Sequence, residues 1–241
     1  PCISIKSKMP IYREAMDLFL NLCLAHLIGD FILQFEELFR LKVRSRLGHF
    51  LHAAVHAGTS LALAYSYALD FSLWLFVMAI SIVHYFQDQI KYRLQKRSER
   101  LIFPCFIIDQ ILHFFFIAAI FFFPLSRRAP PGDLFTLSLI ALITAAFAGG
   151  YFLHALRKSY LAGTRADHFI TSKEMVHGII ERGGVAFVFL FSNQPLFWFA
   201  SLFLGLLRLS SERLRNVTDF LLNISFAAAV GILFRYLMET L

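Results

Sequence analysis

IFPCFIIDQILHFFFIAAIFFF, residues 102 to 123, is an almost unbroken apolar run. About 20 apolar residues of α-helix cross the hydrocarbon core of a membrane, so this run predicts a membrane-spanning helix. Only Asp109 and His113 interrupt it with an acidic or a basic side chain. An aspartate near the centre of such a helix costs about 2.5–3.5 kcal/mol on the insertion scale. Side chains that expensive indicate a partner inside the membrane.

Similar runs recur along the whole chain of 241 residues. Hydrophobic residues make up 58% of the sequence and charged residues 16%, with 29 phenylalanines and a mean hydropathy of +0.65. A typical soluble domain has about 25% charged residues. This composition excludes an ordinary soluble enzyme and predicts an all-α, polytopic integral membrane protein. The three cysteines have neither metal-type spacing nor the even number that a disulfide framework needs.

The apolar runs predict about eight hydrophobic helical segments, separated by proline, glycine and charged residues. Their predicted bounds are 15–36, 47–69, 72–93, 102–123, 134–156, 174–191, 195–209 and 217–238. The seventh segment is short enough to be tilted, re-entrant or interfacial. We expect residues 1–125 to form an N-terminal four-helix bundle around a polar His/Asp centre. Residues 126–241 would then form the C-terminal transmembrane helices.

Lysine and arginine are distributed unevenly over the connections. With all eight segments spanning, sixteen of these residues fall on one side and five on the other. The positive-inside rule makes the first side cytoplasmic. Orientation and contact with lipid headgroups account for the net charge of +7, so membrane lipids are the expected partners and nucleic acid is not. A membrane-protein partner is also compatible with the phenylalanine-rich outer surface.

Each of the first four segments contains two ligand-type side chains spaced four residues apart. This spacing puts both members of a pair on one face of an α-helix. The pairs are His26 and Asp30, His52 and His56, His84 and Asp88, and Asp109 and His113.

The four pairs also lie at matching depths along their predicted helices. One histidine of each pair lies nine to eleven residues from the predicted cytoplasmic end of its segment, and its partner lies five to seven residues from that end. At about 1.5 Å per residue the two layers are about 6 Å apart, with the deeper one near mid-membrane. The deeper layer consists of His26, His56, His84 and His113. We therefore expect all eight side chains to converge.

Three aspartates near one level repel one another unless they are protonated or neutralised by a cation. Neutral imidazoles and carboxylates suit divalent metals, with zinc as the first candidate and manganese or iron as further candidates. Five histidines and three aspartates exceed the ligands of one tetrahedral zinc. A site for two metals is the leading hypothesis. One metal with carboxylates outside its ligand set, and a metal-free polar network, are the alternatives.

Further polar residues lie near this centre in the sequence pattern. Gln34 and Lys91 are predicted hydrogen-bond or charge partners of the aspartates, whereas His49 is predicted to be interfacial. In the sixth segment Glu181 lies at the same depth as the aspartates. A carboxylate that does not bind metal can act as a general base, so Asp109 and Glu181 are the candidate catalytic residues.

At these residues the sequence resembles a bacterial membrane protein family known as domain of unknown function 3307. The matching stretches are HLIGDFILQ at 26–34, HAAVH at 52–56, HYFQDQIK at 84–91, DQILH at 109–113 and GIIER at 178–182. The resemblance implies that these motifs belong together and that the protein lies in a bacterial inner membrane. It implies no activity, substrate or metal.

Four functions fit this pattern. The leading hypothesis is a membrane-embedded, metal-dependent hydrolase that acts on an amphiphilic substrate from the cytoplasmic side. A divalent-cation transporter would use the same ligands as a transport site, but it needs polar groups on both sides of them. The third is a haem-binding protein, which the interleaved aspartates disfavour. The fourth is an accessory subunit of a larger membrane complex with a structural metal site.

Overall fold

The computed structural model describes residues 9–67, 69–123, 134–160, 172–192, 194, 199 and 217–240, and within these ranges the regular structure is entirely helical. The helices are α1 (Met9–Leu27), α2 (Glu36–Arg44), α3 (Arg46–Leu63), α4 (Phe71–Gln95), α5 (Ile102–Ala118), α6 (Leu134–Ile143), α7 (Gly149–Tyr160), α8 (Ser172–Phe191) and α9 (Val217–Thr240). Two short π-helical turns, Ile28–Ile32 and Thr144–Ala148, follow α1 and α6. The prediction of an all-α protein is confirmed for the described residues.

Five helical stretches in the described residues are long and apolar enough to cross a membrane. They are Ala15–Ile32, Phe71–Gln95, Glu99–Phe122, Leu134–Tyr160 and Thr218–Thr240. Each coincides with a predicted segment. Their exposed faces carry large apolar side chains, such as Phe86 and Phe115, which are 56% and 69% exposed. These faces are suited to contact lipid, which is consistent with a membrane protein.

The remaining predicted segments differ from the expectation of about eight apolar spans. Segments 47–69 and 174–191 form α3 and α8, but neither helix is among the five apolar stretches. The reason is composition: α3 carries three histidines and an arginine, and α8 carries two consecutive charged residues, Glu181 and Arg182, at its middle. Such side chains lower the mean hydropathy of a helix even when they are buried in a bundle. The seventh predicted segment, 195–209, lies outside the described residues apart from position 199.

The chain divides into two compact units, Pro1–Thr136 and Leu137–Leu241. In the first unit α1 packs on α3 and α5, and α4 packs on the same two helices. These four helices therefore form a closed bundle. The sequence analysis divided the chain at residue 125, into a bundle with a polar centre and C-terminal transmembrane helices. That division stays a prediction.

The half of this bundle furthest from the basic connections is filled by apolar side chains. Leu22 of α1, Leu73 and Phe76 of α4, and Ile120 after α5 are all at most 2% exposed. Phe76 also packs edge-on against Phe123, with ring centroids 4.9 Å apart. These apolar contacts hold the helices together at this end, where Asp17, Ser60 and Ser81 are among the few buried polar residues.

Residues 36–44 are a helix where the sequence analysis placed a connection between two spans. α2 carries Glu36 and Glu37 in its first turn and Lys42 and Arg44 in its last, which complements the helix dipole at both ends. Leu38 and Lys42, four residues apart, are its buried side chains. The helix packs against α3, and it therefore adds a side chain to the interior of the bundle.

The second unit is organised around a buried arginine. Arg182 of α8 is 6% exposed and donates hydrogen bonds to the carbonyl oxygens of Ala145 and Ala146 and to Asn223 Oδ1, at 3.0, 2.8 and 2.6 Å. The two carbonyls belong to the π-helical turn Thr144–Ala148. A Cβ atom on Gly178 would lie 2.6 Å from the guanidinium, so this glycine makes room for it. The GIIER motif is thus explained by packing within this unit.

We expect Arg182→Gln to lower the free energy of unfolding by about 3 kcal/mol, because charged hydrogen bonds to buried partners are lost together. Arg235→Gln is the matched control, since its side chain is 25% exposed and is paired with Glu239 at 3.0 Å near the end of α9. The measurement is the thermal unfolding midpoint of purified protein in detergent. Equal midpoints for the two variants would contradict this role of Arg182.

Candidate metal centre

The π-helical turn at the end of α1 positions the first carboxylate. In Ile28–Ile32 the backbone hydrogen bonds join residues i and i+5, so the turn holds an extra residue compared with an α-helix. Asp30 lies within this turn and is 6% exposed. Insertions of this kind recur at functional sites because they redirect a side chain without ending the helix. Asp30 therefore points into the bundle, and its Oδ2 lies 3.6 Å from Nε2 of His26.

Asp30 is the residue on which the polar side chains converge. Its Oδ1 lies 3.0 Å from Nε2 of both His52 and His56 and 3.8 Å from Nε2 of His84. Its Oδ2 accepts a hydrogen bond of 3.1 Å from the Gln110 side-chain amide. One carboxylate is thus contacted from α3, α4 and α5, which ties the helices of the bundle together.

The five histidines form a compact cluster of rings around this carboxylate. The centroids of His56 and His84 are 4.0 Å apart, those of His84 and His113 4.3 Å, and those of His26 and His113 4.7 Å. His52 lies 4.7 Å from His56. All five rings are at most 5% exposed. The cluster thus gathers ten ring nitrogen atoms of the ligand type around one carboxylate.

The structure brings the eight predicted side chains together in three overlapping groups. Within each group, one ligand atom from every residue lies within 4.8 Å of the others. The groups are His26, Asp30, His56 and His84; His52, His84 and Asp88; and Asp30, Asp109 and His113. These buried groups have the composition and spacing to hold a metal ion. Ligation by the individual residues stays a prediction.

The other two carboxylates are ion-paired with lysines. Asp88 lies 2.6 Å from Nζ of Lys42 and 2.9 Å from Nζ of Lys91. The Lys91 ammonium also donates a hydrogen bond of 2.6 Å to Asp109. Two lysines therefore neutralise two aspartates in the layer nearer the basic end of the bundle. The sequence analysis predicted Lys91 as a charge partner of the aspartates, whereas the second lysine, Lys42, was not considered when a bound cation was invoked.

Lys42 is the residue of the site that the sequence analysis missed, because it was counted among the basic residues of a connection. Its side chain is 2% exposed, and its Nζ also donates a hydrogen bond of 2.7 Å to Gln34 Oε1. Burial lowers the pKa of Lys42 below its ordinary value, while the Asp88 carboxylate opposes that shift. The signal was available: read as a helix, residues 36–44 put Lys42 one turn after the apolar Leu38.

Two further residues depart from the sequence expectations. His49, predicted to be interfacial, is 8% exposed, and its Nδ1 lies 4.0 Å from Asp88 Oδ2. Gln110, which drew no attention, joins the site through Asp30 and through Nε2 of His26, 3.4 Å from its Oε1. Gln34 contacts the site through Lys42 rather than through Asp30 directly.

A glycine permits the close approach of α1 and α3 at this centre. A Cβ atom on Gly29 would lie 2.7 Å from the His56 ring, which is closer than side-chain packing allows. The residue before Asp30 must therefore be glycine for His56 to keep its place. This contact accounts for the glycine in the stretch HLIGDFILQ.

A small cavity adjoins the histidine rings on the side away from the lysines. The volume that the centre of a water molecule can occupy in it is about 20 Å³. Its lining includes His26, His84 and His113 together with Ser60 and Ser81. That space suits one water. Neither ring nitrogen of His113 has a hydrogen-bond partner within the described part of the chain. The cavity thus places an available imidazole beside room for a water.

The two candidate catalytic carboxylates have different surroundings. Asp109 is buried, and its Oδ2 lies 2.6 Å from Nζ of Lys91, so this oxygen is already committed to an ion pair. Glu181 is 4% exposed and belongs to the second unit, next to Arg182 in the chain. A catalytic role for either residue stays a prediction.

Residues 18–129 match the model of a family described as "Protein of unknown function (DUF3307)". This confirms the resemblance for the part of the chain that contains all eight predicted ligands, while the GIIER motif lies beyond the match. No curated protein and no solved structure matches the chain. The N-terminal part of the chain is thus similar to this family, whose description names no activity.

Lys42→Met should lower the free energy of unfolding by about 3 kcal/mol, because it leaves a buried carboxylate with one partner fewer. The double variant Lys42→Met, Asp88→Asn should recover part of this loss, since both charges of the pair are then absent. Thermal unfolding in detergent measures both. Lys96→Met, an exposed lysine of the same end, is the control and should change stability by less than about 0.5 kcal/mol. Additive effects of the two substitutions would contradict the pair.

Proposed function

We propose that this protein is a membrane-embedded metal-binding protein whose N-terminal bundle holds one divalent transition metal, with zinc as the best candidate. The single observation that supports this proposal is the convergence of His26, Asp30, His56 and His84 on one point. Three imidazoles and one carboxylate are donors that zinc accepts, and a catalytic zinc would take three of them and keep its fourth position for water. Manganese and iron accept the same donors and are the alternatives.

One ion fits the charges better than the two that the sequence pattern favoured. Asp88 and Asp109 already have lysine partners at 2.6 Å, so both carboxylates are neutralised without a second cation. A second divalent ion beside Lys42 and Lys91 would be repelled by two ammonium groups. The lysine–aspartate layer then serves to hold the helices in place beneath the histidine layer.

The activity we propose is hydrolysis of an amphiphilic ester or phosphoester. A divalent metal lowers the pKa of a bound water toward about 7. His113 has unpartnered ring nitrogens and lines the cavity, so it is placed to accept a proton from a water there. The remaining hydroxide would add to the carbonyl or phosphoryl centre, and His113 would return the proton to the leaving alcohol. Orientation by the positive-inside rule puts the basic end in the cytoplasm of a bacterial cell.

One observation favours a second function, transport of a divalent cation. The cavity beside the histidines is lined by Ser60 and Ser81, which are buried hydroxyl groups on the side away from the basic end. A transport site needs polar groups on both sides of its ligands, and these two hydroxyl groups would supply them on the side away from the basic end. The lysine–aspartate layer would be the gate on the other side.

Purified wild-type protein should contain one transition metal per chain, measured by elemental analysis after preparation without chelator. Gly29→Ala should lose most of that metal, because the added methyl group displaces the His56 ring. Gly58→Ala is the matched control: a Cβ atom there meets nothing within 4 Å, and the helix is kept. A metal-free wild-type protein that also fails to bind added Zn²⁺, Mn²⁺ or Fe²⁺ would sink the proposal.

Hydrolysis and transport are separated by two assays on the same proteoliposomes. We expect turnover of lipid esters or phosphoesters that is lost in His84→Ala and falls at least about tenfold in His113→Gln, with the metal retained in the latter. Uptake of Zn²⁺ or Mn²⁺ into the vesicles should not exceed that of protein-free vesicles. Metal flux abolished by Asp30→Asn, with no turnover of any substrate, would decide for the carrier.

A further inference from the structure

A second pocket of the first unit lies at the junction of α2 and α3, against the last turn of α4. The volume that the centres of water molecules can occupy in it is about 180 Å³, which is large enough for a small polyatomic group. Its polar lining consists largely of cationic side chains, and no aspartate or glutamate is among the residues that line it. The cations at its mouth are Arg44, Arg46, Arg93 and Lys96.

These four side chains differ from the lysine beside them. Lys42 also lines the pocket, but its ammonium is committed to Asp88 at 2.6 Å and is fully buried. Arg44, Arg46, Arg93 and Lys96 are exposed. A guanidinium offers donors in a planar fork that matches two oxygens of a phosphate group. Three arginines and a lysine around one depression therefore favour a phosphate over a carboxylate or a simple halide.

The backbone adds to this preference. Ser45 caps the N-terminus of α3 by accepting a hydrogen bond of 3.1 Å from the Gly48 amide, and Arg46 is the first residue of the helix. The positive end of an 18-residue helix thus faces the pocket.

A buried imidazole is a second, independent indication of a ligand. His49 lines the pocket at 8% exposure, and its Nδ1 has no hydrogen-bond partner among the described residues, since Asp88 is 4.0 Å away. A polar atom this buried is expected to have a partner. An anion in the pocket would accept a hydrogen bond from an N–H of this ring.

The surroundings indicate where the phosphate comes from. α4 crosses as far as Gln95, so Arg93 and Lys96 lie at the end of a membrane span, at the level of lipid headgroups. Leu47 and Phe50, on the first turns of α3, are 58% and 61% exposed. Exposed apolar side chains directly beside a cationic pocket suit a ligand with a phosphate head and acyl chains.

We propose that this pocket binds a phosphate group, and that it is the headgroup phosphate of an anionic lipid. The site is distinct from the metal centre, because its cations make no ion pair with Asp30 and do not belong to the histidine cluster. The two sites share only the neighbourhood of Lys42 and His49. Lipid binding here would fix α2 and the start of α3 against the membrane surface.

The test is titration of purified protein in a neutral detergent with short-chain phosphatidic acid, followed by native mass spectrometry. Arg46→Gln with Arg93→Gln should weaken binding by about a hundredfold, at roughly tenfold for each charged contact removed. Arg97→Gln with Arg100→Gln is the matched control. It removes the same charge from exposed residues of the same end that do not line the pocket, and it should leave the affinity within about threefold.

A parallel arm titrates inorganic phosphate and glycerol 3-phosphate in place of the lipid. Tighter binding of phosphatidic acid than of either soluble compound, lost only in the pocket variant, is the expected result. Soluble phosphates that bind as tightly, with the same dependence on Arg46 and Arg93, would keep the phosphate site and overturn its lipid source. No binding of any probe, or equal losses in the two double variants, would overturn the site itself.

Discussion

The cost of burying three carboxylates inside a membrane bundle constrains most of the N-terminal unit. Each needs partners of opposite charge or strong hydrogen-bond donors in a medium that screens poorly. Asp30 is contacted by histidines and a glutamine, whereas Asp88 and Asp109 take lysines at 2.6 Å. The helix α2, the π-helical turn at Asp30 and the glycine that precedes it all serve to bring those partners in.

The bundle therefore has two polar layers with different chemistry. In the lysine–aspartate layer, two lysines balance two aspartates through ion pairs between helices. This layer is therefore suited to holding the helices together. The histidine layer, in contrast, has nitrogen atoms without hydrogen-bond partners in the described residues, on His84 and His113 among others. Unpartnered buried nitrogen atoms are expensive unless something binds them. This difference supports one metal in the histidine layer.

The second unit also buries a charged side chain, that of Arg182. Arg182 uses the carbonyl oxygens that the π-helical turn Thr144–Ala148 exposes, together with Asn223. Both units thus combine a π-helical turn with a buried polar residue. A π-helical turn leaves backbone carbonyl groups or a side chain available for contacts that the hydrogen bonding of a regular α-helix would prevent.

The sequence by itself determined the all-helical class, five of the apolar spans and the ligand-type residues. Apolar runs of about 20 residues and i, i+4 pairs are local patterns, and helix geometry converts them directly into spans and faces. Matched depth was enough to bring His26, His56, His84 and His113 together, since consecutive helices run antiparallel. Tertiary structure alone decided that Asp88 also meets Lys42. Lys42 is 46 residues before Asp88 in the chain, and only the packing of α2 on α3 carries its ammonium inside. Local patterns cannot report such a contact, because its energy comes from desolvation in the folded bundle.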